Sequence, residues 1–491
     1  MTFFTREDFK IGFNFFCVVY GIGTLGIPAS FARAGPAFAV IALLIMGLVN
    51  ITSCVALSKV MIAAPKNVKT YIDVGEWVAG QPGRYAVLIS QFGVCLLVPC
   101  AFLVLGGTLL DGIAPDAFEP EVWSIIMAGA LLPVVLTPTM KEGSITALVG
   151  CLGTLLADGI ALYVVADKIG SHPSVIAPDF VFKEVATMFG NLALAYSAAV
   201  MVPELQREHS QPTRMPRVVA CTMAFTACLF LTIGLTAYSF VGCQIPGNLL
   251  FAINGAALNL NASRGSVVLA YLCMQVHMAI AFAVILNPVL YLAERTILGM
   301  HKRPQLVFAD EEAPAAVEIA SPFYEKALTP SGGLSDKDGI VTTSQSVTSL
   351  AESEQREHEA DEALRSEYRG TGVVIKFVVL RIVIVVILLV CSILFKDHFL
   401  DITDFVGASA ITVGGIILPI AFYIKVFWKT TPLYQKVVAL LVILFCATTG
   451  AYVTYLSGKA LFTDVAASAP FPYCPVEYSE VVYTNATHYA L

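Results

Sequence analysis

Two ionisable side chains stand in the middle of otherwise apolar stretches: Asp158 in TLLADGIALY and His277 in CMQVHMAIAF. A charge away from water is costly, so such groups are kept for function or for pairing within a helix bundle. A carboxyl and an imidazole can each take up and release a proton. Proton carriage and plain helix–helix hydrogen bonding are therefore the two readings for each. A third feature bears on the same question. The stretch 13–34, FNFFCVVYGIGTLGIPASFARA, is apolar enough to cross a bilayer yet carries Gly21, Gly23, Gly26 and Pro28. Glycine weakens a helix and proline removes a backbone hydrogen bond. Amides and carbonyls freed in hydrocarbon must be satisfied by protein, water or a ligand. The interruption marks either a transporter-type binding site or a kink that lets another helix approach closely.

These residues need a membrane scaffold, and the composition supplies one. Of 491 residues, 57% are hydrophobic and 13% charged, against about 25% charged in a soluble domain. This excludes one large soluble core and defines an all-α polytopic membrane protein. Apolar runs of about 20 residues predict eleven transmembrane helices: 11–33, 36–62, 86–110, 122–139, 144–166, 184–203, 218–241, 266–292, 373–395, 403–427 and 433–457. The chain divides into an N-terminus (1–10), helices 1–5 (11–166), helices 6–8 (184–297), a polar loop (298–371), helices 9–10 (373–427), helix 11 (433–457) and a tail (458–491). No small-residue cleavage site follows the first apolar run, so helix 1 is expected to act as an uncleaved signal. The loop is rich in Ser, Thr, Glu, Pro and Gly and is expected to be disordered, as a solvated linker or a regulatory segment.

Basic residues set the orientation. With the N-terminus cytoplasmic, inner loops collect Lys59, Lys66, Lys69, Arg84, Lys141, Arg207, Arg214, Arg217, Lys425, Lys429 and Lys436. Outer loops collect Lys168, Lys183, Arg264, Lys396 and Lys459, plus Arg33 at a helix end. The loop 298–371 then faces the cytoplasm and the tail lies outside. The sequons at Asn261 and Asn485 fall outside, where glycosylation occurs; that at Asn50 lies within a span and is expected to be silent. Cys243 and Cys474 also fall outside, and a disulfide and two free thiols are both compatible with their positions. No cysteine or histidine pair has metal-ligand spacing, and no cluster has that of a nucleophilic triad. The expectation is a protein that is not an enzyme, with no metal, no cofactor beyond a coupling ion and no nucleic-acid partner. Lipid-facing and partner-facing surfaces look alike in membranes, so no oligomeric state is assigned.

A second interrupted helix, FGNLALAYSAAVMVPELQREHSQPTRMP (189–216), repeats the theme of the first five spans later. Such a pair suggests an inverted repeat. GIGTLGIPASFARAG (21–35) resembles the first-helix signature of the amino acid/auxin permeases, within the amino acid–polyamine–organocation superfamily. The 189–216 stretch resembles that family's sixth helix through Tyr196, Pro203, Glu204 and Pro212, and YIDVGEWVAGQPGR (71–84) is similar to its inner loop after helix 2. The resemblance covers nearly all of the membrane part and leaves out 298–371.

What it implies is a five-plus-five inverted-repeat fold of the LeuT type, with helices 1 and 6 broken near the midplane and an extra helix 11. The implied function is secondary active transport of amino acids across the plasma membrane or a vacuolar or lysosomal membrane. Helix N-termini suit a carboxylate, which places Gly21, Gly23 and Thr24 beside it. Tyr196 and Ser197 would line the site, with Tyr196 closing over the substrate; packing and a helix–helix hydrogen bond are the alternatives. Helices 5 and 8 would bring Asp158 and His277 to the broken part of helix 1, which favours proton coupling. Sodium-coupled relatives commonly carry an Asn where this chain has Cys17, and proton-coupled ones a His where it has Asn14. Ala198 and Ala199 stand where helix 6 often has glycine, which would narrow the pocket. Glu204 would pair with Arg6 or Lys10 as an inner gate. Two rivals remain beside proton-coupled symport: a sodium-coupled symporter, and a sensor that binds an amino acid with little flux and signals through 298–371.

Overall fold

A computed structural model describes residues 3–65, 67–115, 117–137, 144–169, 175–254, 258, 260, 262–300, 368, 370–463 and 469–483. The described residues form helices and turns. In chain order the helices are α1 (Arg6–Val19), α2 (Gly23–Ala63), α3 (Tyr71–Ile113), α4 (Pro120–Val135), α5 (Ser144–Ile169), α6 (Phe182–Ala195), α7 (Val202–Glu208), α8 (Met215–Val241), α9 (Leu249–Ala252), α10 (Arg264–Ile297), α11 (Thr371–Leu394), α12 (Phe399–Val426) and α13 (Leu433–Ala460).

Among the described residues, nine helices are long and apolar enough to cross a membrane, and α4 is shorter at 16 residues. The eleven spans expected from the sequence treat α2 as two crossings and include α4. The first step has a physical basis. At about 1.5 Å per residue, the 41 residues of α2 make roughly twice the ~30 Å hydrocarbon thickness. The turn falls at Gly35, whose φ of 74° is open to glycine and strained for other residues. Pro36 follows it and ends the first arm. The first arm (23–34) continues the line of α1 after a break, and the second matches the expected helix 2.

Local chemistry sets the starts. Thr5 caps α1 and Thr70 caps α3, each in a reciprocal capping box with an aspartate three residues on, Asp8 and Asp73. Part of the segment expected as a polar connection, 64–84, is therefore helical: α3 begins at Tyr71 and bends at Gly80 (φ 66°) into its membrane arm. α12 begins at Phe399, ahead of the expected 403, and is π-helical over Gly407–Ile417. The earlier start moves Asp404 from the end of the helix to its second turn.

Burial separates core from lipid face. In the most apolar stretch of Phe182–Glu208, 67% of the residues are buried, against 17% in α13. The outward faces of α13 carry Leu433, Val437, Leu441, Leu444 and Phe445, as a lipid-facing helix does. α2 packs against α8 and α6 at the centre.

The chain forms two compact units, 1–293 with 378–491, and 294–377. In the second, the Tyr368 hydroxyl donates to Glu294 Oε2 at 2.7 Å, and the Tyr368 ring meets Phe377 edge-on. Residues 301–367 lie outside the described residues, as do Asn261 and Asn485. Asn50 is buried within α2 and donates to the Met46 carbonyl at 2.9 Å. Cys243 and Cys474 form a disulfide with Cα atoms 5.2 Å apart.

Candidate functional site

The break between α1 and α2 occupies Tyr20, Gly21 and Ile22. Short-range bonds replace the ordinary ladder there: Thr24 N–H to Gly21 O at 3.1 Å and Leu25 N–H to Ile22 O at 3.2 Å. The break between α6 and α7 occupies Tyr196 to Ala198, with Ser197 N–H bonded to Leu194 O at 3.0 Å. Gly21 and Ser197 are half-buried, while Tyr20, Ile22, Tyr196 and Ala198 are buried. The two breaks therefore expose one small residue each between closed neighbours.

Asp158 of α5 and His277 of α10 both reach the first break. The Tyr20 hydroxyl donates to Asp158 Oδ2 at 2.9 Å. Asp158 is 2% exposed and its second oxygen, Oδ1, is buried with no hydrogen-bond partner. His277 Nδ1 lies 3.1 Å from the Gly150 carbonyl. A carbonyl only accepts, so Nδ1 carries the proton in that bond and Nε2 is left as the basic nitrogen. Nε2 lies 3.2 Å from where a Cβ on Gly21 would sit. The two ionisable groups thus address adjacent residues, Tyr20 and Gly21. The approach of α10 depends on small residues of α5: a Cβ on Gly153 would come within 2.6 Å of the Cys273 carbonyl.

The other expected site residues are distributed as follows. Gly23 packs against α6, where a Cβ would lie 2.5 Å from the Ala195 Cα. Thr24 is fully buried and its hydroxyl donates to Gly21 O at 3.0 Å. Tyr196 points into the packing between α2 and α8, with its ring 5.1 Å from Phe230 and its hydroxyl 3.4 Å from Leu43 O. Glu204 is exposed on α7.

The chain closes around this centre at both ends. At one end Arg33 Nη1 lies 2.6 Å from Asp404 Oδ2, with side-chain exposures of 5% and 1%. Arg33 also donates to Thr187 Oγ1 at 3.4 Å and to the Tyr473 hydroxyl at 3.0 Å. At the other end Asp8 accepts from Arg214 Nη2 at 2.6 Å. His209 Nε2 sits 2.9 Å from Asp8 Oδ1, and the Gln211 amide donates to Nδ1 at 3.0 Å. An Nδ1 that accepts leaves the proton on Nε2, so His209 donates to Asp8. The Arg214 hydrogen bonds hold the Asp8 carboxyl, which precedes the apolar stretch, well below the usual carboxylate range. Glu7 is bonded to Ser210 beside it.

Sequence reasoning missed Tyr20, the Arg33–Asp404 pair and the acid–base cluster at Asp8. Arg33 counted only toward the orientation, and Asp404 stood at the start of an expected helix and was not singled out. Arg381 was missed too. It is 2% exposed in α11 and donates to the Val135 and Thr137 carbonyls, the C-terminal end of α4. There a cation satisfies orphan carbonyls.

Two interrupted helices, each broken where the other breaks, define a membrane protein of the LeuT-type inverted-repeat fold. The structure of MhsT in complex with L-phenylalanine supports that class: it aligns with 92% of this chain and 98% of its own, at a TM-score of 0.50 and 12% identity. The chain belongs to the amino acid/auxin permease family, described as transmembrane amino acid transporter protein, whose match runs over residues 9–462. Amino acid transporter AVT1I of Arabidopsis thaliana is 27% identical over 57% of this chain and 69% of its own length. Amino acid transporter AVT3B of Arabidopsis thaliana is 25% identical over 59% of this chain and 72% of its own. Vacuolar amino acid transporter 3 of Schizosaccharomyces pombe is 23% identical over 46% of this chain and 35% of its own. The chain thus spans from about a third to under three quarters of these relatives' lengths.

Proposed function

We propose that the protein is a proton-coupled secondary active transporter of amino acids that works by alternating access. The observation that carries this is the attachment of Asp158, through Tyr20, to the break in the first helix. A carboxyl with one oxygen held by a phenol and the other unpartnered has a free place for a proton. Its partner is the residue next to Gly21, so a change in protonation acts at the break in the first helix. His277 acts on the same turn from α10. Its basic Nε2 faces Gly21, and it is the second proton candidate. The coupling ion is the sole cofactor of this mechanism.

The substrate is a free amino acid, whose carboxylate suits the N-terminal amides of α2 and whose ammonium suits carbonyls at the broken ends. Gly21, Gly23, Thr24 and Ser197 are the proposed contacts. Tyr196 supports the second break by packing, and Ala198 and Ala199 narrow the pocket. Gly23 must part from Ala195 to admit the carboxylate, which couples binding to movement of α6.

The basic-residue bias favours a cytoplasmic N-terminus. The Asp8–Arg214–His209 cluster is then the inner closure, and Arg33–Asp404 the outer one. Rocking of α1, the first arm of α2, α6 and α7 against the other helices would break these closures in turn. Relatives named as vacuolar transporters favour a vacuolar membrane, with the plasma membrane as the alternative site.

The test is uptake of labelled amino acids into proteoliposomes, with proton and sodium gradients imposed separately. Proton-driven, sodium-independent uptake is the expected result. Sodium-driven uptake with no response to a proton gradient contradicts the coupling. Saturable binding with no flux under either gradient moves the sensor reading to first place.

A further inference from the structure

Arg33 is buried, and a buried guanidinium is tolerated only when its donors are satisfied. Its partners come from three parts of the chain: Asp404 on α12, Thr187 on α6, and Tyr473 in the segment that follows α13. The third is unlike the others. The Tyr473 hydroxyl accepts from Arg33 Nε at 3.0 Å, and the guanidinium carbon lies 5.4 Å from the ring centroid. One side chain thus supplies both a hydrogen bond and a cation–π contact.

The segment that presents Tyr473 is built to stay in place. It folds on itself through Phe471 N–H to Ser479 O at 3.1 Å and Tyr478 N–H to Pro475 O at 2.9 Å. The next residue, Cys474, is bonded covalently to Cys243 in the turn after α8. Gln244, adjacent to that cysteine and 1% exposed, donates to the Tyr478 and Val481 carbonyls and accepts from the Tyr483 amide. A covalent anchor and three hydrogen bonds therefore hold a loop whose one aromatic finger rests on the buried arginine.

We infer that residues 469–483 are a latch on the outer closure, in which Tyr473 is a positioning residue that holds Arg33 against Asp404. The inference rests on the orientation proposed above. Without Tyr473 the closed arrangement keeps a buried Nε–H with no partner, which penalises that state and leaves the open state untouched. The disulfide shortens the tether between the latch and its seat, which raises its effective concentration there after each opening.

The reporter for the test is Ser30→Cys. Ser30 is buried about one helical turn inward of Arg33. The full chain is reconstituted in vesicles, a membrane-impermeant maleimide is applied to each face in turn, and modification of residue 30 is followed by mass spectrometry. Tyr473→Phe, which keeps the ring and the disulfide, should raise the labelling rate from one face about tenfold, equivalent to ~1.4 kcal/mol. The double variant Cys243→Ser with Cys474→Ser should raise it from the same face. Labelling in Tyr473→Phe within twofold of the Ser30→Cys parent overturns the latch, and this conservative variant decides alone where the double variant fails to reach the membrane. No substrate or ion gradient is present, so failed transport and a failed latch are separate results.

Discussion

Tyr20 and Asp158 are joined by a 2.9 Å hydrogen bond across 138 residues of sequence. Tyr20 is the first residue of the break between α1 and α2, and Asp158 belongs to α5. The bond ties a buried carboxyl to the backbone of the first break. Asp158→Asn keeps an acceptor for the phenol but cannot carry a proton. It should abolish the dependence of uptake on an imposed proton gradient while leaving membrane insertion intact. An unchanged response would move the proton to His277 or remove it from the mechanism.

Tyr20→Phe deletes one oxygen and removes the phenol's hydrogen bond from the carboxyl. An unsatisfied buried acceptor costs about 1–3 kcal/mol. The expected result is a lower thermal midpoint in detergent and uptake reduced about tenfold or more. Wild-type uptake in this variant would show that the phenol does not serve the site.

Gly21→Val and Gly23→Val test the break itself. A Cβ at 21 meets His277 at 3.2 Å, and one at 23 meets the Ala195 backbone at 2.5 Å. The imidazole can shift, but the α6 backbone cannot without moving its helix. Both variants should lose uptake at equal surface level, Gly23→Val with the larger loss of stability. Normal flux in either would remove that residue from the substrate site.

The Asp8 cluster carries a pH prediction of definite sign. The Asp8 carboxyl titrates below its usual value in the fold because Arg214 is bonded to it. A depressed carboxylate stabilises the fold fully above its unfolded value, about 3.9, and the contribution is lost as pH falls below that. Between pH 5 and pH 8 the Asp8 carboxylate should therefore stay ionised. Arg214→Ala should open this end, read as faster labelling by a thiol reagent from the Asp8 side, with little pH dependence across that window. A ratio of labelling, Arg214→Ala over the unmodified protein at the same pH, that collapses toward one between pH 8 and pH 5 would contradict the assignment.

The membrane fold was legible because it rests on long-range composition and on punctuation. Apolar runs, the Gly–Pro interruptions and the sixth-helix echo all lie in continuous sequence. Asp158 and His277 stood out because each is a charge-bearing group in the middle of an apolar run. Tyr20 did not, since a tyrosine in a membrane helix is unremarkable until its hydroxyl finds a carboxyl on another helix. Arg33 and Asp404 were hidden for a related reason. Each lies at an end of its expected helix, where a charge is ordinarily solvated, and only the packing of α2 and α12 buries the two together. Tyr196 shows the opposite limit. Its place at the second break was readable, but the direction of its ring depends on Phe230 and on the space beside Gly47. The Asp8 cluster involves none of the residues expected of an inner charge gate, Glu204 with Arg6 or Lys10. The acid that α1 itself supplies lay among residues 1–10, assigned to the N-terminus ahead of the first span, whereas the helix begins at Arg6.

The most direct measurement is proton movement itself. Proteoliposomes loaded with a pH-sensitive dye are given amino acid on the outside, with no imposed gradient of proton or sodium. The wild-type protein should acidify the interior on substrate addition, and Asp158→Asn, matched for reconstituted protein, should not. Amino acid entry with no change in internal pH would contradict proton coupling.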